Sequence, residues 1–329
     1  MTGTTTTAVP VAERARVGWG DLVWLTWRQH RWAIAGLLGA SAAAILLALG
    51  LAWHVGATGD TSHLVGRWRF VGLGQTLMLG PMVIGLVIAV FWAAPLLSRE
   101  YEQRTHLLVW SQDVSPTRWL AGKVVALGVP ASAAAVGLGL AVRRLITSTN
   151  TAMSGYAALG TFETPAYETA PVVQVGYAVF GFALGVALSA VTRRTVLSMG
   201  LTLGLFLAVR AVVSGAWRPH FREPLRVVEP YDPTYAGTLA AVGDNALIVS
   251  SGFADSAGNE VAFPAECSNV EDNLDYTRCV RENDVRFFTD YHPEDRLVPF
   301  QLFESAIFTV LAAALFALAF TWVRRARRV

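Results

Sequence analysis

Lysine is almost missing from this 329-residue chain: Lys123 stands alone beside 25 arginines, and charged residues of both signs make up only 15% of the sequence. Six histidines, at 30, 54, 63, 106, 220 and 292, form no HExxH or other compact ligand set, and the two cysteines have no histidine at ligand spacing. No metal site is expected from such a pattern. Gly122 and Lys123 are followed by Val124, and no glycine stands five positions before Gly122, so there is no phosphate-binding P-loop and no ATP hydrolysis by this chain alone. The long apolar runs hold no aspartate and no nucleophile paired with a base, which argues against an intramembrane enzyme, so no catalytic residues are assigned. They also lack the deep ionisable groups of an ion-driven carrier; Glu304 and Arg210 stand near run ends, where Arg210 is expected to snorkel to the interface.

What is abundant is apolar. Hydrophobic residues reach 53% and mean hydropathy is +0.44, outside the range of ordinary soluble domains. Six runs are long enough to cross a hydrocarbon core of roughly 30 Å: Ala33 to Trp53, Thr76 to Leu97, Val124 to Val142, Val172 to Val191, Val196 to Val213 and Phe303 to Val323. Arginines cluster before span one, between spans two and three, between four and five, and after span six, which predicts that both termini are cytoplasmic. Arg143 and Arg144 fall on the other side and break that pattern. No apolar core precedes Trp32, so no cleaved signal peptide is expected. Residues 1–17 read as a flexible cytoplasmic N-terminus. Residues 18–32, with Trp19, Leu22, Val23, Thr26 and Trp27 at helical spacing, read as an interfacial helix or as a plain extension of span one.

The fold class expected is an all-α polytopic membrane protein: six transmembrane helices, an N-terminal interfacial helix, a cytoplasmic coupling helix over 98–119, and a small extracellular α+β insert before the last span. The first five spans fall within 33–216, the insert occupies 217–300, and 301–329 holds span six and a basic tail. Between Trp217 and Phe300 stand fifteen acidic and seven basic residues, a net −8 against +10 for the rest of the chain. Ala246 to Phe263 reads as a hairpin, and Val270 to Asn283 as a helix. Cys267 and Cys279 both fall in this insert, where a disulfide would close a short loop and contribute about 3 kcal/mol by chain entropy. Gly181 and Gly185 in span four, and Gly200 and Gly204 in span five, have the GxxxG spacing of close helix packing, which is expected to be intramolecular.

The segment between spans two and three carries the most specific pattern. Glu100, Glu102, Thr105 and Leu108 give E-x-E-x-x-T-x-x-L; Trp110, Ser111, Gln112 and Val114 follow, then Arg118, Trp119, Leu120 and Lys123. This pattern resembles the ABC-2 class of ABC transporter permeases, and more narrowly its actinobacterial branch. Thr26 to Trp32 and Tyr291 to Glu304 are similar to the same permeases. Many family members have glycine where this chain has Arg104.

The resemblance implies a coupling helix that docks on a separate ATPase through Glu100, Glu102, Arg104, Thr105, His106, Leu108, Trp110 and Arg118. It implies a permease subunit of an exporter for hydrophobic or amphipathic compounds, such as drugs, antibiotics or lipids, in a bacterial cytoplasmic membrane. The partners would be two ATPase copies, which bind ATP and Mg, a second permease chain in a homodimer, and membrane lipids; no nucleic acid and no cofactor on this chain are expected. The size of the acidic insert leaves a second expectation open, an ATPase-coupled signalling or regulatory component acting on an external partner.

Overall fold

In the computed structural model, residues 18–62, 72–105, 114–153, 159–231 and 242–326 are described, apart from 269 and 271. Helix α1 runs unbroken over Trp19–Thr58. Its forty residues, at about 1.5 Å each, cross a core of roughly 30 Å and continue beyond it. Residues 18–32 are thus the first turns of span one and not a separate interfacial helix. No glycine or proline interrupts Asp21 to Ala35, and Arg28 and Arg31 lie over the rings of Trp24 and Trp32 at 5.2 and 5.5 Å, so the polar turns join the apolar ones smoothly. Asp21 accepts from the Gly18 amide at one end, and Gly59, at φ +70°, closes the other.

Span two is composite. Helix α2 (Leu73–Met78) leads into α3 (Gly80–Val87), a π-helical stretch at Ile88–Ala93, and α4 (Pro95–Glu102). The third span is α5 (Pro116–Ala152), opened by Pro116 and by the Ser115 hydroxyl accepting the Arg118 amide at 3.3 Å. The expected coupling helix over 98–119 is not one element, because α4 ends at Glu102 and α5 starts at Pro116; residues 106–113 lie outside the described set. A short helix α6 (Thr164–Tyr167) precedes α7 (Pro171–Thr192), and α8 (Thr195–Ala211) continues through a π-helical stretch (Val212–Trp217) and a 3-10 turn (Arg218–His220).

Strands β1 (Leu225–Pro230), β2 (Leu247–Ala254) and β3 (Arg286–His292), with helices α9 (Ala265–Ser268) and α10 (Asn273–Glu282), form the insert. Helix α11 (Leu297–Ala326) follows. Among the described residues six helical segments are long and apolar enough to cross a membrane: Trp19–Thr58, Gly80–Glu102, Pro116–Ala152, Pro171–Thr192, Thr195–His220 and Glu294–Arg325.

Helix α7 is the axis of the bundle, and its glycines explain why. A Cβ on Gly181 would stand 2.8 Å from the Gly85 carbonyl oxygen, and one on Gly185 2.6 Å from the Ala93 Cβ, so span two lies directly against the α7 backbone. Gly176 does the same for α11, where Ser305 Oγ would be 3.0 Å away. Gly200 and Gly204 are different: an added Cβ meets nothing within 4 Å. Among the described residues their expected packing inside the chain is therefore absent, and α8 turns that face outward with Leu197, Leu201 and Leu207.

The insert is a three-stranded antiparallel sheet of order β1-β3-β2. The expected hairpin over 246–263 is present only at its tip: β2 pairs with β3 on one edge, and on the other the turn is closed by a bridge between Ala254 and Glu260 and by Val261 N–H to the Phe253 carbonyl at 2.9 Å. The expected helix is present as α10, and Cys267 and Cys279 form a disulfide that ties it to α9. The insert rests on the bundle through Asn245, whose Oδ1 accepts the Thr161 amide at 3.2 Å, and through edge-to-face contacts of Phe221 with Phe300 and Phe303.

Candidate functional site: a turn at one end and a charged cluster at the other

The turn after span two is built from local rules. Thr105 N–H bonds to the Glu100 carbonyl at 3.1 Å and Arg104 N–H to that of Tyr101 at 3.2 Å, the paired bonds of a Schellman ending, with Arg104 at φ +57° in the left-handed position. That position favours glycine, which accounts for the glycine many ABC-2 permeases carry where this chain has arginine.

The expected docking residues divide into three groups. Glu100 is buried at the wall of a small cavity and ion-paired to buried Lys123, whose ammonium also lies 3.5 Å from Gln29 Oε1 and 4.9 Å from the Trp119 ring. This corrects its placement as a surface contact, since a carboxylate twenty-three residues before the only lysine is drawn inward to neutralise it. Glu102, Arg104, Thr105 and Arg118 remain at the surface or partly exposed. Among them Glu102 reaches across to cap α8: its carboxylate accepts the Thr195 amide at 2.9 Å and the Thr195 hydroxyl at 2.8 Å. Arg118 lies over the Trp19 ring at 5.1 Å, which ties the start of α5 to the start of α1. His106, Leu108 and Trp110 lie outside the described residues. Between α1 and α4, Gln29, His30, Arg99, Gln103 and Thr105 line a cavity of about 240 Å³.

At the opposite end, beneath the sheet, Glu304 and Arg210 enter a cluster with groups that the sequence did not single out. Arg218 and Glu304 pair through two hydrogen bonds, Nε to Oε2 at 2.8 Å and Nη2 to Oε1 at 2.9 Å. The Tyr177 hydroxyl also bonds to Glu304, and the Arg218 guanidinium stacks 3.9 Å from the Tyr167 ring centre. Beside it Arg210 pairs with Glu168 and donates to the Met82 carbonyl, while Gln174 donates to the carbonyls of Pro81 and Glu168 at 2.9 and 2.6 Å. Arg210 therefore does not snorkel; it turns inward. Burial raises the Glu168 carboxyl above its ordinary range, with Arg210 opposing that shift. The cluster joins spans two, four, five and six and the α6 turn.

The insert contributes two further titrating groups at this end. Arg226 forks onto Asp290 at 2.7 and 2.8 Å across paired positions of β1 and β3, and holds that carboxyl below its usual range. His292 Nε2 lies 2.9 Å from the Pro219 carbonyl and its Nδ1 faces Arg296 Nη1 at 2.9 Å, an arrangement that suits the neutral ring with its proton on Nε2. Burial lowers its pKa.

Residues 66–218, from before span two to the end of span five, match the family described as ABC-2 membrane transporter related. The chain resembles the ABC-2 membrane transporters. No curated protein matches it. ABC-2 permeases are membrane subunits that lack a nucleotide-binding domain and generally pair with an ABC ATPase, and both the turn after span two and the α6–α7 region lie inside the matched stretch. Among the described residues no group of three or more His, Cys, Asp or Glu side chains has the geometry to hold a metal ion.

Proposed function

We propose that this chain is the permease subunit of an ABC exporter, energised by a separate ATPase that docks on the turn between spans two and three. The observation that carries the proposal is the Glu102–Thr195 link. A partner pressing on the turn moves the carboxylate that caps span five, so displacement at the surface reaches the membrane directly. Glu102, Arg104, Thr105 and Arg118 would meet the ATPase, with His106, Leu108 and Trp110 in the adjoining segment; Glu100 would hold the turn from inside. This arrangement puts both termini in the cytoplasm and the sheet outside, in a bacterial cytoplasmic membrane. ATP and Mg would bind the partner.

The complex proposed contains two permease chains and two ATPases. Spans one, five and six bury little of their apolar surface in the chain, and Gly200 and Gly204 leave the α8 backbone open to close approach by a second copy. The substrate class proposed is hydrophobic or amphipathic, as in drug, antibiotic or lipid export by the actinobacterial branch.

The test is purification of the tagged chain from its native membranes in mild detergent, with mass spectrometry of what accompanies it. An equimolar P-loop ATPase is expected, lost when Glu102 and Arg118 are reversed in charge while the melting temperature is kept. Recovery of the chain without any ATPase would sink the proposal.

A further inference from the structure

We propose that the groove between α1 and α5 at the sheet-bearing end of the bundle binds an anionic phospholipid. Its phosphate would sit on Arg144 and Ser148, with the headgroup and glycerol region against Ala52, Trp53 and Gly56. The inference needs only that the chain crosses a membrane; it is independent of which solute is moved and of which ATPase drives it.

The groove is open and has a volume of about 430 Å³. Leu49, Ala52, Trp53 and Gly56 fall on one face of α1, at the three- and four-residue steps that align helical side chains, and supply an apolar wall. Arg144 and Ser148, four residues apart on α5, supply the polar rim. Trp53 is 76% exposed, as suits an indole at headgroup depth.

Depth along α5 fixes the chemistry. From Arg118, at the far end beside Trp19, to Arg144 the helix rises about 39 Å at 1.5 Å per residue, comparable with the roughly 40–45 Å between headgroup layers. Arg144 thus stands at phosphate level in the leaflet on the sheet side, where the charge pattern of the other loops predicts few arginines. Among the described residues no carboxylate lines the groove. A guanidinium there is matched by a lipid phosphate through charge-assisted hydrogen bonds, whereas the ammonium of a zwitterionic headgroup finds no acidic partner, so the anionic class is favoured.

Native mass spectrometry of the purified full chain tests this, titrated with phosphatidylglycerol and with phosphatidylcholine of the same acyl chains. A phosphatidylglycerol adduct should form at the lower lipid concentration, and R144Q should weaken it about tenfold, the effect of one charge-assisted bond. R143Q, altering an arginine that does not line the groove, should leave it unchanged. Gly56→Leu should remove the adduct without altering charge, because its Cβ meets no atom of the chain within 4 Å and the longer side chain fills the groove. Equal loss in R143Q and R144Q would mean diffuse surface charge and overturn the site. Phosphatidylcholine binding as tightly as phosphatidylglycerol would overturn it as well, as would adducts unchanged in both R144Q and Gly56→Leu. Loss of a chain dimer in place of a lipid would assign the groove to a second copy.

Discussion

Arg218, on the last turn of span five, holds Glu304 of span six in a two-pronged grip, with side chains only 4% and 0% exposed. Sequence distance gives no hint of it, since the two stand eighty-six residues apart on either side of the sheet insert. The grip clamps two spans at the point where the insert leaves and re-enters the bundle.

Removing one partner leaves the other charge buried and unpaired. Glu304→Leu or Arg218→Met should each cost about 3–5 kcal/mol, whereas the double variant carrying both changes should be less destabilised than either single one. Thermal unfolding of the four proteins in one detergent measures this. A double variant with the sum of the single losses would show that the pair is not coupled.

Arg104 occupies a left-handed position that costs a non-glycine residue about 1 kcal/mol. Arg104→Gly should raise stability or leave it level, and Arg104→Val should lower it by about 1 kcal/mol or more, the β-branch adding to the strain. Amide hydrogen exchange at Arg104 and Thr105 reads the turn directly. ATPase recovery with Arg104→Gly then reports separately on whether the guanidinium itself is a contact.

The two glycine pairs should behave oppositely. Gly185→Ala places a methyl 2.6 Å from the Ala93 Cβ and 2.7 Å from the Ala89 carbonyl oxygen, and should cost about 1–3 kcal/mol through overpacking. Gly200→Ala and Gly204→Ala add a methyl to open space and should leave monomer stability unchanged. If they instead lower the fraction of cross-linked dimer, the α8 face is where two chains meet.

His292 gives the insert a pH dependence of known sign. Burial holds its folded pKa below the ordinary 6.5, so below about pH 6.5 the unfolded chain takes up a proton that the folded chain resists. Stability from this group is full above that pH and is lost as pH falls. Melting curves between pH 7.5 and 5 should therefore shift downward, and His292→Gln should flatten the slope. An upward shift on acidification would overturn the neutral assignment.

Much of the architecture is legible because membrane crossing leaves a coarse, strong signal: six apolar runs, a cysteine pair in the polar insert, and the GxxxG spacing of Gly181 and Gly185, which lie against span two. Gly200 and Gly204 have the same spacing and no neighbour in the chain, since period fixes which residues share a face but not what that face meets. Arg210 was expected to reach for the interface because its partner, Glu168, stands forty-two residues earlier in a connecting turn that no pattern marks as buried. Glu100 was misplaced for the related reason that an acidic residue in a charged segment looks solvated until its pairing with Lys123 is known. Span one and its preceding turns form one helix, where amphipathic spacing allowed two.

Two of the buried pairs also bear on electrical behaviour. Lys123 with Glu100, and Arg218 with Glu304, each bring opposite charges together near opposite ends of the bundle. A transmembrane potential does work on net charge, about 2.3 kcal/mol per elementary charge for each 100 mV. A motion that carries either pair as a unit moves no net charge through the field and draws no gating current, so the spans they join can rearrange at any membrane voltage with these pairs adding nothing to the work.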